Sequence, residues 1–334
     1  MKPFLALVRS GASSLHPHLT ERLAEQNFDY ALSWFGDEPP KHAEGAVFVH
    51  MQKGAKWPCL EQTLIAHWDT ISQYHYVWMP DDDLLVDPET VSRMFAICSD
   101  LRLDLAQPAL TPDSYYTHPI TLQHAAFQLR FTNFVEIMAP VLSADLLSRV
   151  FPTLKNQISG FGLDALWPRF TRMGKVAIID DTPVRHTRPV GGPNYKFSAE
   201  AGLMPAHEDW LVSCGSFIET PADFHVNFGG LLQSGDAICI GNDRAEIDRV
   251  LGLLIESMQA LPVSPLLLTR YLANHFTYWA GSEGNQPRYP RGLLRVVLNR
   301  ELKDTGIRFP DPKAAAAMHG PASQLAETYG PRYS

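Results

Sequence analysis

Cysteine, basic runs and long apolar stretches are all scarce in this 334-residue chain, and each shortage removes a class of protein. The four cysteines, Cys59, Cys98, Cys214 and Cys239, stand far apart with no C-x-x-C pair. That spacing is neither a zinc signature nor a disulfide scaffold. Cys98 and Cys239 lie among apolar neighbours and read as buried thiols. With 28 basic against 36 acidic residues and a formal charge of −8, the chain has no lysine- or arginine-rich run suited to a nucleic-acid surface. No stretch approaches the roughly 18 consecutive apolar residues of a membrane span. The opening Met1–Arg9 meets charge too soon for a secretory signal, so the expectation is a cytoplasmic protein. Neither a G-x-G-x-x-G nor a Walker loop is present, and no internal repeat.

What is present is a core and an alternating pattern of elements. Apolar residues make up 45% of the chain, enough for one large α/β domain with an appendage or two modest domains. Phe4–Val8 reads as a buried strand, His18–Gln26 as a helix, and Phe28–Phe35 and Ala46–His50 as further strands. Leu60, Leu64, Ile65, Trp68 and Ile71 recur at helical spacing within Cys59–Gln73. A strand over Tyr76–Met79 follows. Asp87 and Pro88 then open a helix with Val91, Met94, Phe95 and Cys98 on one face. Further on, Phe134–Met138 and Val176–Asp180 read as strands, and Ser143 as the cap of a helix bearing Leu146, Leu147, Val150 and Phe151. Ser159–Asp164 opens a helix reaching Met173, while Ile247–Leu261 and Ser264–Trp279 have amphipathic helical patterns. The expected architecture is α/β: a mixed, mostly parallel sheet over residues 1–204 and a mainly helical region over 205–334.

Between the strand at Tyr76 and the helix at Pro88 lies Pro80-Asp81-Asp82-Asp83. Open α/β sheets bind ligands at the carboxyl ends of their strands. Three adjacent carboxylates repel one another, and a divalent cation, Mn²⁺ or Mg²⁺, relieves that cost while bridging to phosphate oxygens. In an extended loop Asp81 and Asp83 face one way and Asp82 the other. The plain alternative is a solvated acidic turn. His186, after a strand and before a glycine-proline loop, is the candidate third ligand, and an imidazole biases the site toward Mn²⁺.

Two acids compete for a catalytic part. Asp164 follows Gly160-Phe161-Gly162-Leu163 at a helix start, where the dipole favours its ionised form and suits it to take a proton from an acceptor hydroxyl. Glu136 interrupts an apolar strand; it binds an acceptor hydroxyl, acts as nucleophile, or pairs with Arg130 or Arg149. Arg9, Ser10 and Gly11, after the first strand, are candidates for the nucleotide. Lys53 and Lys56 are candidates for phosphate, Trp57 for stacking on a ring, and Arg185 and Arg188 for neutralising a departing diphosphate. Ordinary surface roles are the alternative for each.

Taken in order, Tyr76–Asp83, Gln107–Leu110, Phe134–Val141, Gly160–Asp164 and Val184–His186 resemble the DUF707 family, over about Asp69 to Gly192. That family is similar to GT-A type glycosyltransferases. The resemblance implies a nucleotide-sugar sheet, a D-x-D metal site with Asp83 and His186 on the metal and, for an inverting enzyme, a base at Asp164. It also implies a nucleoside-diphosphate sugar donor and a glycan or small-molecule hydroxyl acceptor. After about Pro205 no motif of the family is recognised. A metal-dependent phosphoesterase and a non-catalytic carbohydrate-binding protein are the competing readings; donor sugar, stereochemical outcome and oligomeric state are not legible.

Overall fold

In the computed structural model, residues 1–172, 174–189, 225–239, 244–259, 261, 263–264, 271 and 275 are described. The apolar N-terminal run forms β1 (Phe4–Ser10), buried along its whole length. Its neighbours β2 (Phe28–Trp34) and β4 (Tyr76–Trp78) run parallel to it on either side, and β3 (Val49–Met51) extends the parallel edge beyond β2. Beyond β4 come β8 (Val141–Ser143), β6 (Leu105–Leu110), β9 (Val176–His186), β7 (Phe127–Thr132), β10 (Asn227–Leu232) and β11 (Ala237–Cys239). The expected parallel order thus describes β1 to β4 and the β6–β9 pair, whereas β7, β8, β10 and β11 pair antiparallel. A short β5 (Leu84–Leu85) pairs antiparallel with the far end of β9.

Alternation along β1 explains the layers. Phe4, Ala6 and Val8 join one apolar cluster, Leu5 and Leu7 another on the opposite face. The first face receives α3 (Pro88–Asp100) through Val91, Met94, Phe95 and Cys98. That helix starts as its sequence predicts, with the Asp87 carboxylate accepting the Thr90 N–H at 2.8 Å and Pro88 at the first position. The second face receives α2 (Lys56–Ile71) and α4 (Ala144–Val150), the latter capped by Ser143 Oγ accepting from Leu146 N–H.

Several expected elements are shorter or differently placed. The helix over His18–Gln26 is a single turn, α1 (His16–Leu19), plus a 3-10 turn at Leu23–Glu25. From Ser159 to Met173, the helix reduces to α5 (Leu163–Leu166) and a 3-10 turn Trp167–Phe170, because Pro168 has no N–H to continue it. Phe134–Met138 is not a strand: β7 ends at Thr132 and the chain turns away. Conversely, Val176–Asp180 is the first half of an 11-residue strand reaching His186.

Within 205–334, the described residues place β10 and β11 in the same sheet as β1, beside α6 (Arg244–Gln259). Val250, Leu254 and Met258 of α6 share a buried cluster with Phe127, Ile178 and Ile238. Of the helix expected over Ser264–Trp279, only isolated positions are described, and the side chains of Cys214 and Cys239 lie outside the described residues. No helix among them is long and apolar enough to cross a membrane.

Arg130 on β7 holds the antiparallel half together. Fully buried, it makes a bidentate pair with Asp180 on β9 (2.9 and 3.0 Å) and donates to the carbonyls of Ile120 and Leu122, both at 2.8 Å. Asp180 also accepts the His124 N–H at 2.8 Å. Replacing one member leaves the other charged and unsatisfied in the core. Arg130→Met is expected to lower the unfolding free energy by about 3–5 kcal/mol, read by urea denaturation. A loss below about 1 kcal/mol is the contrary result.

Candidate active site at the acidic sheet edge

β1, β2 and β4 run parallel, so their carboxyl ends converge on one edge, and the Pro80–Asp83 loop lies there between β4 and β5. Backbone bonds fix the loop: Met79 N–H donates to Pro140 O and Asp81 N–H to Met138 O. After Asp83 the chain pairs with β9, placing Leu84 opposite His186 and Leu85 opposite Arg185. The Asp83 carbonyl then accepts both the N–H (3.1 Å) and the hydroxyl (2.9 Å) of Thr187. Residues a hundred positions apart are thereby brought to one place.

Each aspartate meets a different positive group. Asp81 Oδ1 lies 2.5 Å from Lys56 Nζ. Burial still raises its pKa, against the pull of Lys56. Asp82 accepts the Gly11 N–H at 3.2 Å and pairs with Arg188 at 3.3 Å. Burial pushes Asp82 up to about 6, with Asp83 and Asp81 adding to the rise and Arg188 opposing it. Asp83 Oδ2 stands 3.4 Å from His186 Nε2, while its buried Oδ1 has no hydrogen-bond partner among the described residues.

His186 is oriented from behind. Its Nδ1–H donates to the Tyr115 carbonyl at 2.8 Å, since a carbonyl only accepts, and its backbone N–H donates to Ser114 Oγ. Nε2 therefore faces Asp83 either with a second proton or with a bare lone pair beside a carboxylate. Burial lowers the pKa of this imidazole, but Asp83, the Tyr115 carbonyl and Asp81 outweigh it and the net shift is upward. Bracing through Nδ1 fixes the ring orientation with Nε2 toward Asp83. Asp83 and His186 fit a divalent cation in donor chemistry, and the orphaned Oδ1 adds a further oxygen. Among the described residues, however, no three His, Cys, Asp or Glu side chains stand together as a ready-made site. Asp81 Oδ1 is paired with Lys56 and Asp83 Oδ2 with His186, so the two carboxylates meet different positive groups.

Glu136 and Asp164 adjoin this edge. Glu136 lies in the turn after β7; its N–H donates to Gln107 Oε1 at 2.6 Å, and its buried Oε2 has no partner among the described residues. Its ion-pair alternatives are corrected: Arg130 binds Asp180, and Arg149 binds Asp145. Burial, then the charge of Asp164, pushes Glu136 up to about 8. Asp164 follows Gly162, whose φ of +97° suits glycine, and accepts the Ala165 N–H at 2.9 Å. Its four-residue helix has little dipole to offer, and burial raises it to about 6 rather than holding it low.

Other candidates have different duties. Arg9 spends its donors on the carbonyls of Ser33, Gln52 and Gly54 and on Ser33 Oγ, tying β1 to the loop after β3. Ser10 is buried and bonds Val8 O. Gly11 does reach the acidic loop, and a Cβ there would sit 2.2 Å from the Phe35 ring. Trp57, 1% exposed, packs edge-on against Trp167 at 5.2 Å and is a core residue, not a free stacking platform. Lys53 pairs with Asp37 on the surface. Arg185 faces outward to Asp113 beside a groove of about 340 Å³. Arg188, by contrast, reaches Asp82 and the Ser13 carbonyl. From sequence Asp82 enters only as the triplet member facing away from Asp81 and Asp83, Gln107 only as part of a motif, and the Tyr115 carbonyl not at all.

The sequence profile of the family described as "Protein of unknown function (DUF707)" matches residues 28–133. It contains Tyr76–Asp83 and Gln107–Leu110, and stops before Glu136, Asp164 and His186. No curated protein matches the sequence. Among solved structures, the chain is similar to S. aureus TarS 1-349 (14% identity, 85% of this chain and 93% of that one, TM-score 0.41). TarS 1-349 in complex with UDP-GlcNAc gives the same identity and coverage, with TM-score 0.37. GalNAc-T7 with UDP, GalNAc and Mn²⁺ shows 9% identity over 64% of this chain and 48% of that one, with TM-score 0.45.

The raised carboxyl groups carry a pH signature. A pKa of about 8 for Glu136 means the folded chain keeps a proton that the unfolded chain has already released between its ordinary value and pH 8. Stability from this group is full below the ordinary glutamate value and is lost as pH rises toward about 8. Urea unfolding at a series of pH values is expected to show that decline, and Glu136→Gln to flatten it. An identical slope in both proteins is the contrary result.

Proposed function

We propose that the protein, which carries the DUF707 sequence pattern, is a glycosyltransferase acting on a nucleoside-diphosphate sugar and a hydroxyl acceptor. The observation that carries the reading is the convergence of Asp83 and a braced His186 at the carboxyl ends of the parallel strands of a mixed sheet. Asp83 and His186 would hold a Mn²⁺ or Mg²⁺ ion, which supplies charge neutralisation for the diphosphate when bound. Arg188, paired with Asp82 and reaching the Ser13 carbonyl, would help neutralise the departing diphosphate.

The two buried acids separate by charge state. Burial holds both carboxyl groups above their ordinary values, Glu136 at about 8 and Asp164 at about 6, so Glu136 is the one suited to donate a hydrogen bond and Asp164 the one suited to accept a proton. Environments that push two carboxyl groups apart assign acid and base parts. Asp164 is therefore the group suited to take the proton from the acceptor hydroxyl as its oxygen bonds the sugar carbon. Glu136 is suited to hold a sugar or acceptor oxygen by donation. Gln107, bonded to the Glu136 N–H, holds the turn in place.

Two measurements test this. UDP or GDP with Mn²⁺ is expected to raise the melting temperature of the native protein, and Asp83→Ala to remove that rise while the protein still melts cooperatively. A rise that survives in Asp83→Ala contradicts the site. With a nucleotide sugar that binds, Asp164→Asn is expected to retain donor affinity and lose roughly 10²- to 10⁴-fold in transfer rate. Near-normal turnover removes Asp164 from the base's part.

A further inference from the structure

Lys56, at the first residue of α2, is a candidate from sequence for binding phosphate, and the fold surrounds it with protein oxygens. An ammonium group has three N–H donors. Three oxygens surround this one: Asp81 Oδ1 at 2.5 Å, Ile137 O at 2.8 Å and Met138 O at 3.3 Å. The Met138 carbonyl also accepts the Asp81 N–H at 2.8 Å, so side chain and backbone of Asp81 are anchored at one point. The Trp57 ring lies 5.0 Å from Nζ and adds to the cage. The Lys56 side chain is only 16% exposed. A positive charge held by a carboxylate and two carbonyls sits in the kind of oxygen nest that hard metal cations take.

We infer that Lys56 is a resident counter-cation of the acidic loop. It holds the Asp81 side of the site, which leaves Asp83 and His186 as the protein donors for a divalent ion. This rests on the metal reading proposed above. Two protein donors satisfy a small part of the six or so ligands that Mn²⁺ or Mg²⁺ takes, and a nearby ammonium repels the free ion. Free metal therefore binds weakly. A diphosphate, whose negative charge offsets the ammonium and whose oxygens complete the coordination, binds together with the ion. Lys56 thus sets the order of recognition by making the cation dependent on the nucleotide, and is a specificity-determining residue rather than a phosphate ligand.

The inference makes a gain-of-binding prediction that general damage to the fold cannot imitate. Mn²⁺ alone, followed by the electron paramagnetic resonance signal of the free ion, is titrated into the full-length native protein and into Lys56→Met, Lys56→Gln and Lys56→Arg. The native protein and Lys56→Arg are expected to bind Mn²⁺ weakly and alike. Both neutral variants are expected to bind it at least about tenfold more tightly, the equivalent of one pK unit of relieved repulsion. Lys56→Gln retains amide donors for the two carbonyls, so it reports on the charge even if Lys56→Met does not fold. Unchanged or weaker Mn²⁺ binding in the neutral variants overturns the inference. Adding Asp83→Ala to Lys56→Gln separates the two readings. Loss of the gained binding keeps Asp83 as the metal ligand, whereas its persistence contradicts the proposed metal site. If Asp83→Ala removes the nucleotide-dependent Mn²⁺ stabilisation but neutralising Lys56 changes nothing, the metal site stands and the part given to Lys56 falls.

Discussion

Mutual repulsion among three consecutive carboxylates is the constraint around which this sheet edge is arranged. The fold gives each carboxylate its own partners: Lys56 for Asp81, Arg188 and the Gly11 N–H for Asp82, and His186 for Asp83. Those partners come from the start of α2, the turn after β1 and the end of β9, so charge balance in one loop ties distant segments together. The ties differ in kind. Lys56 is surrounded by three oxygens, whereas His186 is an imidazole braced through Nδ1 with Nε2 toward Asp83. A loop that looks symmetric in sequence is thereby divided between a side tied by Lys56 and a side tied by His186.

Behind the loop, burial works on the neighbouring acids in the opposite sense from a helix dipole. Glu136 lies in a turn without strand pairing, where the Gln107 carboxamide stands in for a sheet partner by accepting its N–H. Asp164 sits on a helix of four residues, too short for the dipole to offset desolvation. Both carboxyl groups end above their ordinary range, by different amounts.

The other half of the sheet is organised by a buried ion pair. Arg130 and Asp180 satisfy each other and neighbouring backbone groups, and Arg130 approaches Asn227 Oδ1 of β10 at 3.5 Å. Asn227 in turn donates to the Tyr271 hydroxyl and, through its backbone N–H, to His275 Nε2. This polar network connects the later chain to the same sheet that carries the site. A buried pair of this sort specifies geometry at little net gain in stability, since each charge has lost its water.

Local patterning was enough for much of the framework: the strands at Phe4, Phe28 and Tyr76, the Asp87-capped α3, the Ser143-capped α4 and the placement of Asp81–Asp83 after a strand. These depend on alternation, helical period and capping groups, all of which act within a few residues. The resemblance carried by Tyr76–Asp83 and Gln107–Leu110 lies within the span that the family profile matches. Tertiary structure decided which charges meet. Lys56 rather than Lys53 reaches the triplet, Arg188 rather than Arg185 does, and Trp57 and Arg9 are consumed by the core. Neighbouring residues on a strand point to opposite faces, and a lysine spends its donors on whatever oxygens the fold brings near. Neither outcome is written in residue type, because both depend on segments far apart in the chain.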